Sequence, residues 1–383
     1  MTTRADPESR TQASAEDGSS RQEALTAEVS GKEKVSGLLR SLQQVALFVI
    51  SLSLFMVAIE LIKGGATGAA VLIGSILDIS SPLSALGFGW LASYLVMSGS
   101  PVAAVSVAFL ATGVLDQLSA YAMIVGSRLG ASFIVLFVGF VYVLRGHERR
   151  SGLIMGLLAL VVTASVYLPA LLVGGLLIEY EILDSVKLDA GTVLSSFLER
   201  ALAPIVRPVS NLLPGWGVML VGLAVLWVCF YLFDRALPKL DLENSRFSAV
   251  AHLVYRPLPM FILGSALTLI TLSVSLSLSL LVPLSARGYV RRENAIPYIM
   301  GANITTIVDT LLATVVLGSS DAFTVVLVTM VSVTLVSLVL MLLVFRRYER
   351  VTLSLVEWAT ATNRNLALFM LIILAVPVVL MLI

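Results

Sequence analysis

The feature that most limits what this chain can fold into is a series of apolar runs, each long enough to cross a membrane, separated by charged segments. A spanning helix needs about 20 predominantly apolar residues. Seven runs meet that requirement: 45–62, 119–144, 153–178, 217–233, 295–317, 322–345 and 366–383. The composition agrees, with 58% hydrophobic residues, 13% charged residues and a mean hydropathy of +0.98, far from soluble domains. The sequence therefore predicts an all-α integral membrane protein with about seven transmembrane helices.

Other classes find no support. A net charge of +1 offers no footprint for nucleic acid. The single cysteine, Cys229, rules out an intrachain disulfide. His147 and His252 fall in polar segments, and the spans hold no Ser-His-Asp set or metal-ligand spacing, so a membrane-embedded enzyme is not expected. Residues 1–41 are rich in Ser, Glu, Arg and Thr and read as a disordered cytoplasmic tail. They are no signal peptide, because the first apolar run begins too far in.

Two more apolar stretches, 82–113 and 257–288, are interrupted at their centres, the first at Met97-Ser98-Gly99-Ser100-Pro101, the second by Ser273, Ser275, Ser277 and Ser279. Each half is too short to span. Irregular backbone at membrane depth survives only where protein or a water-filled cavity satisfies it. The expectation is two re-entrant helical hairpins. The loop charges fit it. Lys32, Lys34 and Arg40 put the N-terminus inside, and Arg145, Arg149, Arg150, Arg235, Lys239, Arg246, Arg287, Arg291, Arg292, Arg346, Arg347 and Arg350 then all fall inside. The acidic segment 179–199 falls outside. Counting either hairpin as a full crossing would reverse every later loop.

The chain also repeats itself at an offset of 175 residues. Pro82 meets Pro257, Gly89 meets Gly264, Ser98 and Ser100 meet Ser273 and Ser275, and Gly126 meets Gly301. Between 82–132 and 257–307, 11 of 51 positions are identical without a gap. The first copy starts inside and the second outside, so the repeats are inverted, the pattern of secondary transporters. The expected divisions are 1–41 tail, 42–178 first repeat, 179–215 extracytoplasmic loop, 216–345 second repeat, and 346–383 linker with a C-terminal transmembrane helix.

Ser81-Pro82-Leu83 and Arg256-Pro257-Leu258 open the hairpins. Met97-Ser98-Gly99-Ser100 and Leu272-Ser273-Val274-Ser275 form the tips. Gly126-Ser127-Arg128-Leu129-Gly130 and Gly301-Ala302-Asn303-Ile304-Thr305-Thr306 follow. In order and spacing these segments resemble the sodium/phosphate cotransporter family, whose repeats carry an Asn-Pro-Leu-like start, a Gln-Ser-Ser-Ser tip and a later Gly-Ser/Ala-Asn-Ile-Gly-Thr segment. The resemblance covers most of residues 45–345. It implies a symporter that binds inorganic phosphate or another small anion, with sodium as the candidate coupling ion and no other cofactor. In that family the tip glutamines and serines are implicated in binding phosphate and sodium. Here both glutamines are replaced, by Met97 and Leu272, and the first Asn by Arg128.

The candidate binding residues are Ser98, Ser100, Arg128, Ser273, Ser275, Asn303, Thr305 and Thr306. A charge at the depth of Arg128 is costly and commonly functional. Its guanidinium can clamp an oxyanion, stand in for a sodium ion, or form a structural ion pair with Asp309. The serines can equally satisfy broken helix ends, and Asn303, Thr305 and Thr306 can equally bond between helices. Three functions follow in order: a sodium-coupled phosphate symporter-like transporter, a sodium-independent anion transporter, and a regulatory scaffold that no longer transports. The expected setting is the cell membrane with a cytoplasmic N-terminus; a homodimer is left open.

Overall fold

In a computed structural model, the described residues are 43–66, 68, 81–144, 149–183, 190–236, 256–279, 281–286 and 290–383. The tail 1–41, His147, His252 and Gly288 lie outside them. The described residues form helices and turns. Seven helices are long and apolar enough to cross a membrane, over Gln43–Ala66, Gln117–Phe137, Leu153–Glu179, Gly215–Leu232, Arg292–Leu317, Ser320–Leu343 and Asn363–Met381. These match the seven runs to within a few residues. The chain is an all-α membrane protein.

We number the helices in order: α1 Gln43–Ala66, α2 Pro82–Val96, α3 Gly99–Ala111, α4 Gln117–Leu144, α5 Arg149–Glu179, α6 Ala190–Leu212, α7 Gly215–Ala236, α8 Pro257–Thr271 and α9 Val274–Ser279. Then follow α10 Leu281–Ala286, α11 Arg292–Thr305, α12 Val308–Leu317, α13 Ser320–Leu343, α14 Phe345–Ala361 and α15 Asn363–Met381.

Pro82 sets the first turn of α2, where its missing N–H costs nothing, and Ser81 caps it through the Ser84 N–H. The helix ends at Met97, whose φ of 55° is left-handed, and α3 starts two residues on. Helix α2 follows α4 in one direction, with Leu86 against Gly126 and Trp90 and Ser93 against Gly130. Helix α3 follows α4 in the other, with Gly99 against Ser127 and the Ser106 hydroxyl donating to the Ala120 carbonyl at 2.8 Å. The chain therefore reverses at Met97-Ser98. At the offset of 175 residues, Leu272 is again left-handed, with φ 48°, between α8 and α9. Such a conformation costs a non-glycine residue about 1–2 kcal/mol.

Glycine permits the closest packing. A Cβ on Gly89 would stand 2.3 Å from the Met123 carbonyl oxygen, and one on Gly264 would stand 2.1 Å from that of Tyr298. Helices α1 and α7 lie antiparallel. The Cys229 thiol donates to the Ser51 carbonyl at 3.1 Å, Phe55 meets Phe230 edge-on at 6.0 Å, and Gly65 packs on Gly215 and Met219.

Three elements depart from expectation. The apolar run 295–317 is one span but two helices, interrupted at Thr306-Ile307. The segment 179–215, expected as a loop, contains helix α6, which packs on α12; Glu199 on α6 pairs with Lys63 at 3.5 Å. The stretch 346–361, expected as a linker, is the amphipathic helix α14, with Thr352, Val356 and Ala359 buried and Arg346, Arg347 and Arg350 exposed. Both segments carry apolar residues at helical spacing, which hydropathy averaged over long windows conceals.

Candidate functional site

The interruption at Thr306-Ile307 brings a cluster of oxygens together. Asp309 lies in the first turn of α12, and α4 presents Arg128 to it. Arg128 Nη2 donates to Asp309 Oδ1 at 2.9 Å and to Thr310 Oγ1 at 2.5 Å, while Nη1 donates to Thr306 Oγ1 at 3.2 Å. Asp309 Oδ1 also accepts from the Thr310 hydroxyl at 2.9 Å and the Thr310 N–H at 2.5 Å. Arg128 is 2% exposed and Asp309 6%, so the pair is shielded from solvent. Two atoms are left over: Arg128 Nε and Asp309 Oδ2 are buried and have no hydrogen-bond partner.

Asp309 also lines a cavity of about 180 Å³. The two chain reversals meet there. Ser98 and Ser100 line it from the first, and Thr271, Leu272 and Ser273 from the second. Leu52, Phe55 and Phe230 supply apolar wall, with Leu312, Val315 and Val316 of α12. Ser98 caps α3 without a side-chain bond to its backbone. The N-terminus of α3, with its outward N–H groups, therefore opens at the cavity.

The candidate residues thus divide into four groups. Ser98, Ser100 and Ser273 share the cavity, joined by Asp309. Arg128 and Thr306 stand behind Asp309 as its support and are not part of the wall. Asn303 faces away: its amide donates to Thr163 Oγ1 at 3.2 Å, and its carbonyl accepts from the Tyr167 hydroxyl at 2.8 Å. The half-buried Thr305 turns its hydroxyl back on the Gly301 carbonyl at 3.3 Å. Ser275 lies in α9, and its side chain is outside the described residues.

Sequence reasoning missed Phe55, Phe230, Thr271 and Thr310. Phe55 and Phe230 are 175 residues apart, so the repeat offset could have found them. Thr163 and Tyr167 carry no such signal. Among the described residues no three His, Cys, Asp or Glu side chains gather as a metal site. The oxygens of Thr306, Asp309 and Thr310 would suit a hard cation, and the guanidinium occupies their focus.

One titration shift lies outside the spans. Partial burial, and after it the charge of Glu293, push the Glu349 carboxyl on α14 above its ordinary range.

Compared with known proteins, the chain matches no family model, no curated protein and no solved structure.

Proposed function

We propose that this chain is a secondary active transporter of a small anion, built on two inverted repeats with re-entrant hairpins and resembling sodium/phosphate symporters. One observation carries the reading. Two chain reversals separated by 175 residues line a single cavity together with a buried carboxylate. The repeat reading is supported by equivalent contacts in the two halves: Gly89 on Met123 and Gly264 on Tyr298, and left-handed Met97 and Leu272. Inversion is supported by the antiparallel packing of α1 on α7, in which the equivalent residues Phe55 and Phe230 touch. In such a carrier the first hairpin gates the outside and the second the inside.

Sodium independence is favoured by the guanidinium of Arg128, which fills the oxygen cluster that a coupling cation would use. The helix N-terminus and the free hydroxyls at the α2–α3 reversal would hold the anion. The test is uptake into proteoliposomes of phosphate and a panel of anions, with sodium and proton gradients imposed separately. Uptake of at least one anion against its gradient supports the reading. No uptake under any gradient favours the non-transporting scaffold.

A further inference from the structure

We propose that Asp309 is the coupling group and that the coupling ion is a proton, bound at Oδ2 and carried with one monovalent anion. The proposal rests on the transporter reading above. An ionised carboxylate with a buried oxygen left unpartnered carries a large desolvation penalty. Asp309 is held in that state on one side only. Oδ1 is engaged by Arg128 and Thr310, and Oδ2 by nothing, in a residue that lines the cavity. A proton added to Oδ2 creates an O–H donor and leaves every contact of Oδ1 in place.

Charge balance then sets the stoichiometry. With the cavity empty, Arg128 and Asp309 sum to zero. A monoanion alone would make the site −1, and a proton alone would make it +1. Either charge is costly in a low-dielectric interior. A proton and a monoanion together restore zero. Only the empty and doubly loaded states can therefore change access cheaply, which is the condition for tight 1:1 coupling.

The surroundings offer Asp309 no other partner to titrate with. Arg128 on α4 is the one charge in contact with it. Helix α3 carries no titratable side chain, and the only one on α13, Asp321, is in its first turn. On α6, Glu199, Arg200 and Arg207 are all exposed. The Tyr167 hydroxyl is committed to the Asn303 carbonyl. The mostly apolar wall disfavours a dianion and suits a monovalent oxyanion, whether dihydrogen phosphate or an organic acid with a small apolar body.

The experiment uses the full chain in proteoliposomes loaded with a pH dye, potential clamped by potassium and valinomycin. The probes are inorganic phosphate, lactate and methanesulfonate; the last is monoanionic at every working pH and cannot cross as a neutral acid. The expected result is that an inside-alkaline gradient of one pH unit drives about tenfold accumulation of at least one probe. The lumen should acidify as that probe enters, and the clamped potential should have no effect. Asp309→Asn should abolish both the acidification and the pH dependence of any remaining exchange. Should that variant fail to fold, the wild-type arms decide alone. Uptake that follows a sodium gradient, or ignores the pH gradient, overturns proton coupling and leaves the transporter reading standing. No uptake of any anion under any gradient overturns both.

Discussion

Arg128 on α4 reaches Asp309 on α12, Nη2 to Oδ1 at 2.9 Å, across 181 residues of chain and with both side chains almost fully buried. A buried pair is weak as a source of stability, because desolvation offsets most of the attraction, but breaking it strands a charge. Arg128→Met or Asp309→Leu alone should destabilise by about 3–5 kcal/mol, and the double variant should recover most of that loss. Thermal unfolding in detergent completes the cycle. Single variants as stable as the wild type would remove the pair from the account of this site.

The glycine contacts make a paired prediction. Gly89→Ala and Gly264→Ala each push a methyl into a backbone carbonyl that cannot step aside. Both should lower stability by about 1–3 kcal/mol, by equivalent mechanisms in the two halves. A loss in one half only would argue against equivalent packing.

Met97 and Leu272 are left-handed without being glycine. Met97→Gly and Leu272→Gly relieve that conformation, while Met97→Val and Leu272→Val worsen it, since β-branched residues tolerate it least. The glycine variants should melt at or above wild type and the valine variants below it.

Ser98 and Ser273 line one cavity from opposite chain reversals. With Cys229 changed to Ala, Ser98→Cys and Ser273→Cys should react with membrane-impermeant thiol reagents from opposite faces. A transported anion should protect both. Labelling of both from one face would contradict the inverted arrangement.

Glu349 has a raised pKa in the folded state, so its stabilising contribution is complete below the ordinary carboxylate range and fades as pH rises through the raised value. Glu349→Gln should therefore raise the unfolding midpoint at pH 7 and leave it unchanged near pH 4. A shift of equal size at both pH values would place the effect elsewhere.

The spans, the broken stretches and the 175-residue offset were legible in the chain because each depends on local physics. Twenty apolar residues make a spanning helix whatever packs beside it, and Pro82 and Pro257 start helices through their own fixed φ. The amphipathic helices α6 and α14 were hidden because their apolar faces are narrow and interleaved with charge. The site was legible in part: Ser98, Ser100, Ser273 and Asp309 stand out by position and type.

Which of those residues share a cavity was a different matter. Arg128 and Asn303 are repeat equivalents, yet one supports Asp309 and the other turns toward Thr163 and Tyr167. That choice depends on partners far away in sequence, and on the interruption at Thr306-Ile307, which carries no Gly or Pro to announce it. The sequence by itself determined a membrane-spanning, internally repeated helical chain, since hydropathy and helix-breaking are local. Only the tertiary structure decided that Arg128 sits behind the cavity wall and that Asp309, with one oxygen unpartnered, is its one charged member, since both follow from how α4 and α12 meet.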